Sequence, residues 1–208
     1  MQIKENDIVL FQGDSITDCH RDKSDPDSLG LGYPYFVASQ FNYRYPHLGV
    51  KFYNRGISGN RAGDLVSRWQ EDCIDLHPTV VSVYIGINDT WRNYDQNMIT
   101  TPQEYEANYR FLLDEIKAKL DARLIIIEPF VLPFPEDRIK WREDLDPKIQ
   151  VCRKLALEYG GAYVPLDGLF AAAQTKKEAA WWAYDGVHPT GAGHALIADA
   201  FMKTVIDE

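Results

Sequence analysis

The chain has 208 residues, 45% of them apolar and 25% charged, which suits one folded domain with a substantial core and argues against wholesale disorder. Its net charge of −9 sets it against nucleic-acid phosphates and anionic membrane surfaces, and favours a neutral or weakly charged small molecule as partner. Three scattered cysteines, Cys19, Cys73 and Cys152, form no Cys-x-x-Cys pattern, so reduced thiols are expected rather than a disulfide framework or a zinc site.

The start, MQIKENDIVL, lacks the basic, apolar and small-residue segments of a signal peptide. The longest apolar stretch, LIIIEPFVLPF, is short for a membrane span and interrupted by Glu128 and two prolines. The expectation is a soluble, cytoplasmic protein with a single domain over 1–208. DIVLFQ (7–12) predicts the first strand, and Gly13-Asp14-Ser15 breaks it. A helix near 30–46 comes next, then VKFYN (50–54), whose alternation suits a strand at a sheet edge. RGISGN sets Gly56 and Gly59 in a turn before a helix near 61–76. TVVSVYIG (79–86) is the third strand, and GIND leaves it carrying Asn88 and Asp89.

The helix near 102–120 has the clearest signals: Thr101 as N-cap, Pro102 at the first helical position and Glu104 at the third. Tyr105, Tyr109, Leu112, Leu113, Ile116 and Leu120 then recur at helical spacing. RLIIIEPF (123–130), a helix near 141–160, AYVPLD (162–167) and a helix near 168–180 complete the alternation. DGVHPTGAGH then brings Asp185 and His188 to the start of a last helix near 190–206. Strands alternating with helices predict an α/β fold, a parallel sheet in three layers. No internal repeat, low-complexity tract or Gly/Ser linker divides it.

Ligands of open parallel sheets bind beyond the carboxyl ends of the strands. A hydroxyl (Ser15), flexible backbone (Gly59), a carboxamide (Asn88) and an Asp/His pair all follow strands here, so they are expected on one rim. That inventory suits acyl transfer. A serine needs a histidine base within hydrogen-bond reach, and the histidine needs a carboxylate to fix its tautomer. Asp185 and His188 can supply both from one turn. The Ser15 and Gly59 N–H groups and the Asn88 side-chain amide could form an oxyanion hole, Gly59 because a missing Cβ lets backbone approach a ligand closely.

GDSITD, GISGN, GIND and DGVHPT stand in the order and approximate spacing of the blocks of the SGNH, or GDSL, hydrolase superfamily, which the chain resembles. The resemblance implies a flavodoxin-like three-layer α/β/α sandwich with a five-stranded parallel sheet. It implies Ser15 as nucleophile, His188 as base, Asp185 as its orienting acid, and Ser15, Gly59 and Asn88 as oxyanion-hole donors. Between the blocks, GDSITDCHR, NRGISGNRAGDLVSRWQEDC, GINDTWRNYD and YDGVHPTGAGH look like the intracellular bacterial acetylxylan esterases of this superfamily. That similarity implies hydrolysis of acetyl esters on xylo-oligosaccharides, without a cofactor or metal. Ile87 departs from the second glycine that many members carry in the third block.

The same machinery in a lysophospholipase, thioesterase or arylesterase is the first rival, since specificity lies in the pocket walls. A catalytically silent carbohydrate-binding protein is the second. Trp91, Tyr94, Trp181, Trp182 and Tyr184 lie near the catalytic candidates and serve either as a platform for a sugar ring or as core and interface anchors. Arg55, Arg61 and Arg92 suit substrate hydroxyls or surface salt bridges equally. His20 is a candidate pocket liner; His47 and His77 read as solvated, and His194 as packed or hydrogen-bonded within the last helix. Asp14, Asp18 and Asp89 read as organisers of their loops, and RDKSDPDS (21–28) as a solvated loop without the pattern of a calcium site. The surplus of tryptophan and tyrosine leaves room for a homo-oligomer.

Overall fold

Apolar runs that are hydrophobic at successive positions need cover on both faces, and they receive it in one parallel sheet. In the computed structural model, which describes residues 3–206, the strands are β1 (Ile8–Gly13), β2 (Lys51–Asn54), β3 (Val80–Tyr84), β4 (Arg123–Ile127) and β5 (Ala162–Val164). Their order is β2-β1-β3-β4-β5, all parallel, the doubly wound arrangement that places a switch point between β1 and β3. Val9 lies opposite Phe52 on one side and Val80 on the other. The alternating β2 is an edge strand, with Lys51 exposed and Phe52 and Asn54 buried.

Helices α1 (Ser15–Asp18), α2 (Tyr33–Arg44), α3 (Ala62–Asp72), α4 (Ile87–Gln96), α5 (Pro102–Lys119), α6 (Arg142–Tyr159), α7 (Leu166–Gln174), α8 (Ala179–Trp182) and α9 (Gly191–Val205) connect and flank the strands. Because side chains alternate across a strand, β1 feeds two cores. Val9 and Phe11 pack with Phe41 of α2 and Phe201 of α9, while Leu10 packs with Leu65 and Trp69 of α3 and Leu112 of α5. Each such side chain, fully buried, stabilises the fold by about 1.5–3 kcal/mol. The Trp69 indole N–H also donates to the Leu112 carbonyl (3.1 Å), so its polar edge is not left unpaired. Tyr105 and Tyr109 of α5 donate to the Ile85 and Val83 carbonyls (2.8 and 3.1 Å), which docks the helix on β3.

The structure corrects two expected elements. Asn88 and Asp89 do not leave β3 in a loop: Gly86, at φ +138°, turns the chain directly into α4, and both residues sit in that helix's first turn. The segment INDTWRNYDQ does place Ile87, Trp91 and Tyr94 at helical spacing, but GIND reads as a turn by composition and Gly86 supplies no capping side chain, so the start of the helix is unmarked. The expected helix over 168–180 is two helices, α7 and α8, separated at 175–178. Strands β3, β4 and β5 also end before their apolar runs do, and after β5 Pro165 has no N–H to continue the ladder. No helix among the described residues is long and apolar enough to cross a membrane.

Candidate active site

Strand β1 ends at Gly13, where any Cβ would lie 2.2 Å from the Thr17 hydroxyl oxygen and 2.5 Å from the Tyr84 carbonyl. The chain then enters the single turn of α1 with Asp14 as N-cap, its Oδ1 accepting the Ile16 N–H (3.0 Å). Ser15 is the first helical residue, and its side chain faces the segment before α9. That segment is pinched by a bridge between Ala183 and Pro189, with the Tyr184 N–H donating to the His188 carbonyl (2.9 Å). Gly186 turns inside it at φ +82°, where a Cβ would meet the Phe134 carbonyl at 2.1 Å.

The result is a continuous polar array. Ser15 Oγ lies 2.9 Å from His188 Nε2, and His188 Nδ1 lies 2.8 Å from Asp185 Oδ2. The other Asp185 oxygen accepts the N–H groups of Val187 (3.0 Å) and His188 (2.7 Å). Burial by itself would raise the Asp185 carboxyl, but the ring and main-chain hydrogen bonds outweigh it and bring it down to about 2. Its carboxylate in turn raises His188 above the ordinary histidine value, against the opposing effect of burial. With Asp185 ionised, the proton of neutral His188 resides on Nδ1 and Nε2 is free to accept from the serine.

Gly59 and Asn88 approach the same rim from the ends of β2 and β3. Gly59 has φ +84°, which explains the glycine; its Cβ position is open, the nearest group being an Arg92 nitrogen at 4.0 Å. Gly56, by contrast, is needed for packing within the chain: a Cβ there would lie 2.3 Å from the Asp18 nitrogen. Asn88 is buried, and one of its amide protons goes to the Asn60 carbonyl (3.0 Å), which fixes the other's direction. Asp18 does organise its loop, accepting the Ser58 N–H (3.1 Å) and hydroxyl (2.9 Å). Asp89 reaches outside its own turn to accept the Ala62 N–H (3.0 Å) at the start of α3. Asp14 and Asp89 are each raised to about 7, burial being the main cause.

A cavity of about 300 Å³ opens beside Ser15, with His188, Cys19, His20, Tyr184 and His194 among its walls. Tyr184 is 71% exposed at the rim. His194, expected to be packed or to bond within its helix, is buried; it accepts the Tyr33 N–H of α2 through Nδ1 (3.1 Å) and contacts Cys19 Sγ (3.4 Å), and burial lowers it to about 4. Trp91 belongs to the site, its ring 5.6 Å from that of His188. Trp182 does not: its indole donates to the Lys177 carbonyl (3.1 Å) and lines a groove between α7 and α9. Trp182 is the last residue of α8, which packs against α9, whereas Tyr184 follows that helix in the segment leading to His188. Arg61 takes its salt-bridge alternative, with Asp64 at 3.4 Å, and Arg55 is tied to the Pro26 and Asn54 carbonyls (3.0 and 2.9 Å).

Arg138 escaped the sequence reading. It donates to the Asp185 carbonyl (3.2 Å) and lies over Trp91 (4.9 Å) and Trp141 (4.0 Å), backing the turn that carries His188. PEDRIKWRED offers no pattern that marks it.

A serine hydroxyl on a histidine and an ionised carboxylate behind the histidine form an arrangement suited to acyl transfer. Comparison with known proteins agrees. Residues 11–196 match the model of the GDSL-like Lipase/Acylhydrolase family. An acetylxylan esterase of Geobacillus stearothermophilus is 36% identical over 99% of this chain and 96% of its own. A crystal structure of an acetylxylan esterase from that organism superposes with a TM-score of 0.90 at 35% identity, covering 100% of this chain and 98% of that one. A GDSL-like protein of Parabacteroides merdae superposes with a TM-score of 0.94 at 38% identity, covering 98% and 97%. The chain therefore belongs to the GDSL-like lipase/acylhydrolase family and is a carboxylic ester hydrolase.

Proposed function

We propose that this hydrolase removes acetyl groups from acetylated xylo-oligosaccharides, with Ser15 as nucleophile, His188 as base and Asp185 as orienting acid. The observation that carries the mechanism is the unbroken array from Ser15 Oγ through both ring nitrogens of His188 to Asp185, at 2.9 and 2.8 Å. His188 Nε2 takes the serine proton as Oγ attacks the ester carbonyl. The Ser15 and Gly59 N–H groups and the Asn88 amide hold the oxyanion. The imidazolium then gives its proton to the departing sugar oxygen, leaving acetyl on Ser15. Water attacks that ester with His188 again as base, and acetate leaves as Ser15 regains its proton.

The substrate class is supported by likeness and by shape. The Geobacillus relative is an acetylxylan esterase, and its solved catalytic mutants replace a serine, an aspartate and a histidine by alanine. The cavity beside Ser15 is small and carries polar groups such as His20 and Ser58, which suits a short acyl group better than a long chain. Tyr184, exposed at the rim, and Trp91, beside the His188 ring, are the aromatic candidates to meet a sugar ring. The test is acetate release from acetylated xylo-oligosaccharides beside a chain-length series of p-nitrophenyl esters. Expected are release from the oligosaccharide, preference for acetyl, and loss of both activities in Ser15→Ala. Preference for long acyl chains overturns the substrate class, and retained turnover in Ser15→Ala overturns the mechanism.

A further inference from the structure

The three proposed oxyanion donors lie on the three separate connections that follow β1, β2 and β3: Ser15 at the start of α1, Gly59 in a loop, and Asn88 in the first turn of α4. Their mutual placement must be held by something that crosses those connections. One side chain does so from behind the site. Arg68 of α3 directs Nε to the Asn60 side-chain oxygen (2.8 Å), Nη1 to the Arg55 carbonyl (2.9 Å) and Nη2 to the Gly13 carbonyl (3.2 Å). Nη1 also meets Gln12 Oε1 (3.1 Å) and Asp72 (2.7 Å), and the guanidinium side chain is only 13% exposed.

The targets of this fork are the points that set the donors. Gly13 is two residues before Ser15, and its carbonyl also accepts the Ile57 N–H of the following loop (3.1 Å). Asn60 follows Gly59, and its own carbonyl receives the Asn88 amide (3.0 Å). Gln12, fully buried at the end of β1, completes its bonding by donating to the Asp72 carbonyl (2.6 Å). We infer that Arg68 is a positioning residue: it holds the loops after β1 and β2 in register, and through Asn60 the Asn88 amide, so that the donors converge on one point. The inference rests on the oxyanion-hole reading given above. A lysine cannot replace it, because a single terminal nitrogen cannot reach three acceptors spread around a planar fork.

The test compares Arg68→Lys, Arg68→Gln and Asn60→Ala with the unaltered protein and with Ser15→Ala. The readouts are kcat and KM on p-nitrophenyl acetate and affinity for a small alkylboronic acid that forms a tetrahedral adduct on Ser15. Loss of a single oxyanion donor costs about 10²–10³-fold in kcat, so the Arg68 variants are expected to lose about 100-fold and Asn60→Ala about 10-fold. KM is expected to stay within about threefold, while boronate affinity falls in parallel with kcat. A role in folding alone would not separate kcat from KM in this way. A folded Arg68→Lys with kcat and boronate affinity within about threefold of the unaltered protein overturns the inference. Should the Arg68 variants fail to fold, Asn60→Ala decides: unchanged kcat and boronate affinity overturn the inference, and a parallel fall supports it. Turnover that survives in Ser15→Ala removes the oxyanion-hole reading itself, and the role of Arg68 falls with it.

Discussion

His188 can take the Ser15 proton only while its ring is neutral, so the groups around that ring set the pH at which the site works. Asp185 raises the imidazole above its usual range. Activity should therefore rise with pH along an acid limb whose midpoint lies above about 6.5, the unperturbed value. Asp185→Asn removes the charge that holds the proton on the ring. The limb should move to lower pH while kcat falls by about 10²–10⁴-fold. A pH profile of kcat/KM checks both, and a limb that stays in place would mean that a different group is being titrated. Arg138 opposes Asp185 through its positive charge, so the value His188 adopts is a balance rather than the effect of one neighbour.

Among the elements, α5 and α4 show what makes a helix visible. In α5 the Thr101 hydroxyl accepts the Glu104 N–H (3.1 Å), Pro102 opens the first turn, and the apolar stripe from Tyr105 to Ile116 is buried. Thr101→Ala should cost about 1 kcal/mol in urea unfolding and leave kcat unchanged, because α5 packs on the face of the sheet away from His188. A loss of activity as large as the loss of stability would place α5 in the mechanism. Helix α4 has only the short stripe of Ile87, Trp91 and Tyr94, and no side chain caps its start. Its buried first turn consists of Ile87, Asn88, Asp89 and Thr90, three of them polar, and those polar groups are spent on neighbouring elements. Asp89 reaching Ala62 of α3 is one such bond, which exists only once α3 and α4 are packed together.

For the whole molecule, two buried carboxyls govern how stability depends on pH. Asp14 and Asp89 titrate near 7 in the fold but at ordinary carboxyl values in the unfolded chain, so the fold holds their protons more tightly. Their contribution is present below about 4 and is lost as pH rises through about 7. Asp185, brought down to about 2, acts in the opposite sense: its contribution is present above about 4 and lost as pH falls toward that value. Asp14→Asn keeps an oxygen for the Ile16 N–H and removes the titration. The fall in Tm between about pH 4 and 8 should be shallower in this variant than in the unaltered protein. Equal slopes in thermal unfolding would show that Asp14 does not change its charge in that range.

The amino-acid sequence by itself determined the α/β alternation and the edge position of β2, and it singled out Ser15, Asp185 and His188, which the fold brings into one hydrogen-bonded array, with Gly59 and Asn88 as candidates beside them. Those features are local: apolar periodicity, a turn composition, a capping residue, or a short block of chemically purposeful side chains. Tertiary structure alone decided what depends on which residues meet. Trp182 and Tyr184 are two apart in a stretch rich in aromatics, yet one lines a groove behind the site and the other its rim, because Trp182 closes helix α8 while Tyr184 lies past it, in the segment bridged to Pro189. Arg68 and Arg138 carry no local mark either. Each matters through carbonyls far away in the chain, Gly13 for one and Asp185 for the other, and a hydrogen bond to a distant backbone leaves no trace in residue type or spacing.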